Sequence, residues 1–347
     1  MALRVGIAGY GVVGQRRGEV VRRHPDLELV AVCDQRFHET PRTEDGLDSY
    51  GSVDQLLSRH LDVLFVCLSN DVAAEATIKG LEKGLHVFCE KPPARTVDEL
   101  LPVLECERRR PNQQLMYGFN HRYHDSVIRA LEILHSKQLG KIINMRGVYG
   151  KAKLITFDQP SWRINRAISG GGVLLDQGIH MVDLMRLFAG EFVQISSHIS
   201  NSHWGYDVED NAYALMKTSD GAVALLNSSA TQWRHQFSLD INLQRGSIIL
   251  RGIVTGSKSY GAETLTVVTA NPDEDNGDPV ESVTTFNRDL SWEREIEAFV
   301  SCITTGRSPE HGTSRDALET LRLVYRIYHA DPIWRELFSI RDPETYS

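Results

Sequence analysis

Glu90 and Lys91 follow directly on an apolar segment, and two prolines come after them. The segment, HVFC at residues 86–89, has the composition of a buried strand. Pro92 lacks a backbone donor and restricts the residue before it, so Lys91 is held where the strand ends. Because α/β sheets bind ligands at the carboxyl ends of their strands, this position favours a functional ammonium group over a surface ion pair.

A second group suited to chemistry lies in the segment SGGGVLLDQGIHMVDLMRLF at residues 169–188. Asp176, His180 and Asp183 have the spacing i, i+4 and i+7, which predicts that they share one stripe of a helix. The unperturbed pKa of histidine, about 6.5, suits proton transfer at neutral pH. The spacing therefore predicts that Asp176 and His180 point into one pocket, with His180 as either an acid/base group or a structural histidine.

The segment GIAGYGVVGQRR has glycines in G-x-G-x-x-G spacing at Gly9, Gly11 and Gly14. Such glycines allow a tight turn, a close approach of the backbone to a pyrophosphate and close packing of a helix on a strand. Asp34 ends the second predicted strand, 20 residues after Gly14, where an acidic residue binds the ribose hydroxyls of NAD. Arg36 is able to accommodate a 2′-phosphate, so NAD is predicted and NADP stays open.

The elements that must position these groups are indicated by the hydrophobic pattern of the first 119 residues. Strands are predicted at residues 3–9, 27–33, 62–69, 86–90 and 114–119. Amphipathic helices are predicted between them at residues 11–24, 71–83 and 97–110. This alternation predicts a doubly wound parallel sheet of the Rossmann type, and so an NAD(P)-binding domain at residues 1–119.

After residue 120 the pattern changes to helices followed by a series of strands. Helices are predicted at residues 123–136, 172–189, 292–304 and 314–328. Strands are predicted at residues 141–149, 192–199, 208–218, 222–230, 236–250, 263–269 and 281–287. The pattern predicts an α+β domain at residues 120–347 with a large, mainly antiparallel open sheet, which binds the substrate and mediates oligomerisation.

In their order along the chain, the glycine motif, EKP at 90–92 and GGGVLLDQGIH at 170–180 resemble the family of glucose–fructose oxidoreductase, inositol dehydrogenase and rhizopine-catabolism proteins, Gfo/Idh/MocA. The resemblance extends over essentially the whole chain. It implies an NAD(P)-dependent enzyme that transfers a hydride between nicotinamide and a secondary alcohol or ketone of a sugar. It also implies that Lys91 lies beside the nicotinamide and the substrate hydroxyl, and that Asp176 and His180 supply the acid/base histidine pair.

The strand ends, the glycine loop and the family motifs together give two sets of expected ligands. The expected cofactor-binding residues are Gly9, Gly11, Val12, Val13, Gly14, Asp34, Arg36, Leu68, Ser69, Asn70, Glu90, Lys91, Asn120, Trp162 and Arg163. The expected substrate-binding residues are Lys91, Arg122, Tyr123, Lys153, Arg163, Arg166, Asp176 and His180. The chain departs from the family motif T-P-N-x-x-H, because Ser69 replaces the proline and Ala73 replaces the histidine. Substrate specificity is therefore not carried over from the family.

Composition limits the remaining function classes. The net charge of −8 over 347 residues predicts no nucleic-acid partner, because such proteins normally present a basic patch. No apolar stretch approaches the roughly 18 residues of a membrane-spanning helix, so no membrane association is predicted. Five scattered cysteines without a CxxC motif predict reduced thiols and a cytoplasmic location. They form no zinc-ligand motif, so no metal is predicted.

The substrate is predicted from a basic segment, KAKLITFDQPSWRINR, at residues 151–166. Its cations Lys151, Lys153, Arg163 and Arg166 favour an anionic carbohydrate, either a nucleotide sugar or a sugar acid. The alternatives are an inositol or free-sugar dehydrogenase, an NAD-dependent lyase or glycoside hydrolase with transient hydride transfer, and a non-catalytic NAD-binding regulator. An open sheet with an uncovered face further predicts a homodimer or homotetramer through the C-terminal sheet.

Overall fold

The protein divides into two compact units. The structure, a computed structural model, describes residues 2–38, 42–43, 46–152, 162–255, 258–270 and 279–345. The first unit contains the described residues up to Asn120, together with Ala167–Gly170 and Trp292–Leu321. It thus extends beyond the contiguous range 1–119. One reason is that the ring of Phe299 packs edge-on against those of Phe65 and Phe88, with centroids 6.1 and 5.6 Å apart.

The first unit is built on a six-stranded parallel sheet with the order β3-β2-β1-β4-β5-β6. Its strands are β1 (Leu3–Ala8), β2 (Leu27–Cys33), β3 (Asp48–Tyr50), β4 (Val63–Val66), β5 (His86–Glu90) and β6 (Leu115–Gly118). The helices up to β6 are α1 (Val12–Arg23), α2 (Val53–Leu56), α3 (Asn70–Glu82) and α4 (Val97–Arg108). The predicted doubly wound sheet is confirmed, and the short elements β3 and α2 were not predicted.

The second unit contains an eight-stranded sheet with the order β14-β13-β12-β11-β7-β10-β9-β8. Its strands are β7 (Ile142–Gly150), β8 (Phe192–Ser200), β9 (Asn211–Thr218), β10 (Val223–Ser229), β11 (Gln236–Leu243), β12 (Gly246–Arg251), β13 (Glu263–Thr269) and β14 (Val280–Phe286). The predicted, mainly antiparallel sheet is confirmed; β7 and β10 form its one parallel pair among the described strands. The single strand predicted at 236–250 is wrong, because Leu243 pairs with Gly246 and closes a two-residue turn.

Six further helices complete the described chain. They are α5 (Asp125–His135), α6 (Arg166–Ser169), α7 (Ile179–Ala189), α8 (Ser291–Thr305), α9 (Ser314–Ala330) and α10 (Pro332–Leu337). None of the helices in the described ranges is long and apolar enough to cross a membrane.

The regular helix predicted at 172–189 is wrong at its start. A single π-helical turn spans Leu174–Gly178, and α7 begins only at Ile179. The buried carboxylate of Glu209 accepts hydrogen bonds from the backbone nitrogens of Gly172 and Leu174, at 2.7 and 2.9 Å. A Cβ at Gly172 would lie 2.1 Å from the Glu209 carbonyl oxygen, so only glycine permits this approach. A contact with a distant residue therefore shapes the backbone that leads to His180.

Candidate functional site

The glycine loop between β1 and α1 is closely packed on one side and open on the other. Gly9 has a φ of +87°, and a Cβ there would lie 2.3 Å from the carbonyl oxygen of Cys67. A Cβ at Gly14 would lie 1.9 Å from the carbonyl oxygen of Gly9, whereas one at Gly11 would meet nothing within 4 Å. Because Gly11 also caps the 12-residue helix α1, the loop leaves room for a pyrophosphate at a helix N-terminus.

Asp34 and Arg36 lie together beside this loop. The Asp34 carboxylate accepts a hydrogen bond from the backbone nitrogen of Tyr10, at 3.1 Å, and others from the backbone and Nε nitrogens of Arg36, at 3.1 and 3.0 Å. Arg36 also donates to the carbonyl oxygen of Tyr10, at 2.8 Å. The predicted ribose ligand is therefore fixed to the glycine loop, and this arrangement fits a bound dinucleotide.

The other predicted cofactor ligands of the first unit follow adjacent strands. Leu68 to Asn70 follow β4, Glu90 and Lys91 lie at the end of β5, and Asn120 follows β6. These strands are neighbours in the sheet, so their carboxyl ends share one edge. At this edge Asn70 is buried and its Nδ2 donates to the Ser169 carbonyl oxygen, at 2.7 Å, while Ser69 caps α3.

The remaining predicted cofactor ligands of this unit are Lys91, at the same edge, and Val12 and Val13, at the start of α1. Lys91 is half-buried, and the Lys91–Pro92 peptide bond is cis. Val12 is exposed and Val13 is half-buried in the first turn of α1, next to the open space at Gly11. The structure thus gathers the predicted ligands of this unit along the glycine loop and the strand ends.

In the second unit, His180 is 6% exposed and lies in the first turn of α7. Its imidazole stacks on that of His121, with ring centroids 3.8 Å apart and planes 14° apart. His121 Nε2 is hydrogen-bonded to the hydroxyl of Tyr149, at 3.2 Å. This stack fixes the plane of the His180 ring. His121 and Tyr149 were not predicted as site residues, although His121 directly follows the predicted cofactor ligand Asn120.

Asp176 lies in the π turn, between two cations. Its carboxylate is 3.4 Å from Lys151 Nζ and 3.3 Å from Arg163 Nε. Burial lowers the pKa of Lys151, and the nearby Asp176 opposes this shift. The Arg163 guanidinium also lies over the ring of Trp162, 4.4 Å from its centroid. The predicted residues Asp176, Arg163 and Trp162 are therefore brought together, and Lys151 joins them.

Two of the predicted substrate ligands, Arg122 and Arg166, contact other side chains of the second unit. Arg122 forms a buried, bidentate ion pair with Asp183, at 2.6 and 2.7 Å, so Asp183 faces Arg122. The Arg166 guanidinium lies over the ring of Phe338, 4.0 Å from its centroid. Tyr123 ends the 3₁₀ turn at Asn120–Tyr123 and is half-buried. Lys153 lies outside the described residues.

No group of three His, Cys, Asp or Glu side chains among the described residues is arranged to hold a metal ion. All five cysteines are free, and burial raises the pKa of Cys33 and of Cys89 to about 12. These two side chains are therefore neutral thiols at neutral pH and poor nucleophiles.

Comparison with known proteins gives matches over both units. A family model described as an oxidoreductase family with an NAD-binding Rossmann fold matches residues 3–119. A model of the GFO/IDH/MocA C-terminal domain matches residues 127–249.

Individual proteins match over most of their length. D-glucoside 3-dehydrogenase of Escherichia coli (strain K12) is 30% identical over 330 residues, which cover 86% of this chain and 87% of that protein. D-xylose 1-dehydrogenase (NADP(+)) 2 of Haloferax volcanii is 26% identical, covering 94% and 95%. Among solved structures, levoglucosan dehydrogenase in complex with NADH and levoglucosan has a TM-score of 0.85 at 20% identity, covering 96% of this chain and 98% of that chain.

Proposed function

Because this chain belongs to the GFO/IDH/MocA family of NAD-binding oxidoreductases, we propose that it transfers a hydride between NAD and a secondary alcohol carbon of a sugar. The observation that carries this proposal is the buried imidazole of His180, whose plane is fixed by stacking on His121 at 3.8 Å. A histidine held in this way is suited to proton transfer at neutral pH.

The chain's own residues have separate tasks in this proposal. NAD, when bound, supplies the hydride acceptor. The ammonium group of Lys91 binds the substrate hydroxyl and stabilises the negative charge that develops on its oxygen. An imidazole nitrogen of His180 accepts the hydroxyl proton. The role of Asp176 in orienting His180 stays a prediction, since the contacts described for its carboxylate are those with Lys151 and Arg163.

We propose a neutral sugar or glycoside as the substrate class. Arg122 is held in a buried ion pair with Asp183 and is not presented to an anionic group, and the Arg166 guanidinium packs over the ring of Phe338. The relatives named as D-glucoside and D-xylose dehydrogenases support the same class. An anionic sugar is the second candidate, because Lys151 and Arg163 carry two positive charges beside the single carboxylate of Asp176.

A substrate panel tests both candidates. Neutral sugars, glycosides, sugar acids and nucleotide sugars are each incubated with NAD and with NADP, and the absorbance of the reduced cofactor is followed. We expect a neutral substrate whose KM is insensitive to added salt. A sugar acid or nucleotide sugar that reacts best, with a KM that rises with salt, replaces this proposal by the second candidate.

The same panel separates the other chemical alternatives. Product formation without net reduced cofactor identifies a lyase or hydrolase that returns the hydride. Binding of NAD with no product from any sugar favours a non-catalytic regulator.

We also propose that a second copy of the chain covers one face of the eight-stranded sheet. Tyr213 and Leu215 of β9 and Val223 and Leu225 of β10 have exposures of 37% to 53%. Leu215 and Leu225 are direct cross-strand partners, so the apolar patch is continuous. Exposed apolar patches of this kind mark protein interfaces. Light scattering should give a dimer or tetramer that Leu215→Lys dissociates, and a monomeric wild type contradicts the proposal.

A further inference from the structure

Arg17 is a fully buried guanidinium between two carboxylates of the first unit. It lies on α1, downstream of the glycine loop, and its side chain is 0% exposed. Its Nε donates to Glu90 Oε1 and its Nη2 donates to Glu295 Oε2, each at 2.6 Å. Glu295 on α8 is also 0% exposed, and Glu90 is 12% exposed. One arginine thus joins the phosphate-binding helix, the end of β5 and α8.

The surroundings enclose this Arg17–Glu90–Glu295 cluster on several sides. The guanidinium lies over the rings of Phe88 and Trp292, 4.5 and 4.1 Å from their centroids. A Cβ at Gly118 would lie 3.0 Å from Glu90 Oε2 and 3.1 Å from Arg17 Nη2. Strand β6 therefore has a glycine, with no side chain, where it lies against the Arg17–Glu90 ion pair. The cluster is closely packed at this point.

Stability alone does not account for such a cluster. Burial opposes the charge of Arg17, but the two carboxylates outweigh burial and raise its pKa, so the guanidinium stays charged. Removing charges from water costs several kcal/mol per ion, and apolar replacements of buried ion pairs are often equally stable. A guanidinium binds carboxylates in a fixed planar geometry, so it holds them in a defined orientation. An apolar replacement has no such directional contact.

We propose that Arg17 is a positioning residue for Lys91. Glu90 is the residue before Lys91, so fixing its carboxylate between α1 and α8 fixes the backbone that carries the Lys91 ammonium group. Arg17 thereby ties the position of Lys91 to the helix that begins at the glycine loop. The inference rests on the proposed function, in which Lys91 binds the substrate hydroxyl. Nothing in the glycine, EKP or D-x-x-x-H motifs assigns a role to Arg17.

The test compares Arg17→Met with a matched control, Arg23→Met. Arg23 joins the same two helices through Glu293, at 3.2 Å, but both side chains are exposed, so its loss should change nothing. The first measurement is the rate at which acetic anhydride acetylates Lys91, followed by peptide mass spectrometry with and without NAD. In folded Arg17→Met we expect a changed rate and weaker protection by NAD, because Lys91 no longer has one fixed position.

The second measurement is steady-state kinetics with the sugar that the substrate panel identifies. We expect kcat of Arg17→Met to fall by about 10²-fold, since small displacements of a reacting group have costs of this size. The dissociation constant of NAD should stay close to that of the wild type, because the glycine loop and Asp34 are unchanged. A purely structural role predicts a lower Tm with wild-type kcat in the folded fraction, and this result overturns the proposal.

The labelling measurement needs no turnover, so it separates failure of this inference from failure of the proposed function. A wild type that reduces no NAD refutes the dehydrogenase, whereas unchanged Lys91 labelling in folded Arg17→Met refutes the positioning role. If Arg17→Met does not fold, the variant with Arg17→Met, Glu90→Gln and Glu295→Gln removes all three charges together and avoids an unpaired buried carboxylate. Wild-type labelling of Lys91 in that variant also overturns the proposal.

Discussion

The glycine loop and the surroundings of His180 are assembled from the sequence in different ways. Tyr10 and Asp34, which are hydrogen-bonded beside the loop, are 24 positions apart. In the second unit, Arg122 and Asp183 are 61 positions apart. The ring of His121, which stacks on His180, also lies 5.5 Å from that of His124, and His124 is hydrogen-bonded to Glu263, 139 positions away. The glycine loop with Asp34 is thus a nearly local motif, while the surroundings of His180 are assembled from distant strands and helices.

The two regions therefore control different properties of the enzyme. A local strand–loop–helix motif sets backbone geometry, and backbone nitrogens at a helix N-terminus bind phosphate whatever the substrate is. Side chains that come from several elements determine where a proton is held. Variants near the glycine loop should therefore change cofactor affinity, and variants around His180 should change turnover.

The largest effect is expected for His180→Ala. Loss of an acid/base group lowers rates by about 10²–10⁴-fold, so kcat should fall by this factor while the dissociation constant of NAD stays unchanged. Stopped-flow turnover and nicotinamide fluorescence measure the two quantities. The control is His135→Ala, because His135 is an exposed histidine in the last turn of α5. Lost NAD binding in a folded His180→Ala protein would assign a structural role to this histidine.

Lys91→Met should change turnover although Lys91 belongs to the first unit, because Lys91 is proposed to bind the substrate hydroxyl. Removal of one group that stabilises a developing oxyanion costs about 10²–10³-fold in kcat. NAD affinity should change little. Lys83→Met, an exposed lysine at the end of α3, is the control and should behave as the wild type. Near-normal turnover of Lys91→Met would remove Lys91 from the mechanism.

Asp34→Ala should change the affinity for the cofactor rather than turnover. Hydrogen bonds to a charged group contribute about 1.5–3 kcal/mol, so NAD should bind about tenfold to hundredfold more weakly. NADP should be affected less, because the variant also removes repulsion of the 2′-phosphate. The KM for each cofactor measures the effect, with exposed Asp26→Ala as the control. An equal rise of both KM values would mean that Asp34 does not bind the ribose.

The smallest effect concerns Lys151 in the second unit. Burial lowers the pKa of Lys151 from 10.5, and Asp176 opposes the shift. Between the lowered pKa and 10.5 the unfolded state binds more protons, so the free energy of unfolding rises with pH in that window. Lys151→Met should lose this rise in urea unfolding measured at neutral pH and at a pH of about 10.

Lys79 is the control for the sign of the change in the free energy of unfolding with pH. Its pKa is raised by hydrogen bonds to Asp54 and Glu75, so its stabilising contribution is present below 10.5 and is lost as the pH rises through the raised value. Lys79→Met should therefore keep the wild-type rise between neutral pH and a pH of about 10, and should change the pH dependence in the opposite direction only above 10.5. If the free energy of unfolding of Lys151→Met rose with pH as in the wild type, the lowered pKa of Lys151 would be contradicted.

Much of the first unit could be predicted because its signals are local. Buried parallel strands are short apolar runs, and the glycine spacing together with Asp34 identifies the dinucleotide loop. The membership of Trp292–Leu321 in the first unit could not be predicted. It depends on Phe299, which packs on Phe65 and Phe88 from far along the chain.

The second unit was less predictable because side-chain partners decide its geometry. The π turn depends on Glu209, which binds backbone nitrogens of the glycine segment. A basic residue in the sequence does not reveal its partner, so the burial of Arg122 against Asp183 could not be inferred. The His180–His121 stack likewise requires α7 and the turn after β6 to be adjacent.

Net hydride transfer from a sugar carbon to NAD is the reaction proposed for this protein. The most direct test uses the best sugar from the panel, with deuterium on the carbon that is oxidised, and mass spectrometry of the recovered cofactor. We expect one deuterium in the reduced nicotinamide for each oxidised sugar formed, and a slower rate with the deuterated substrate. Product formed with no deuterium in the cofactor, and no net reduced NAD, would contradict it.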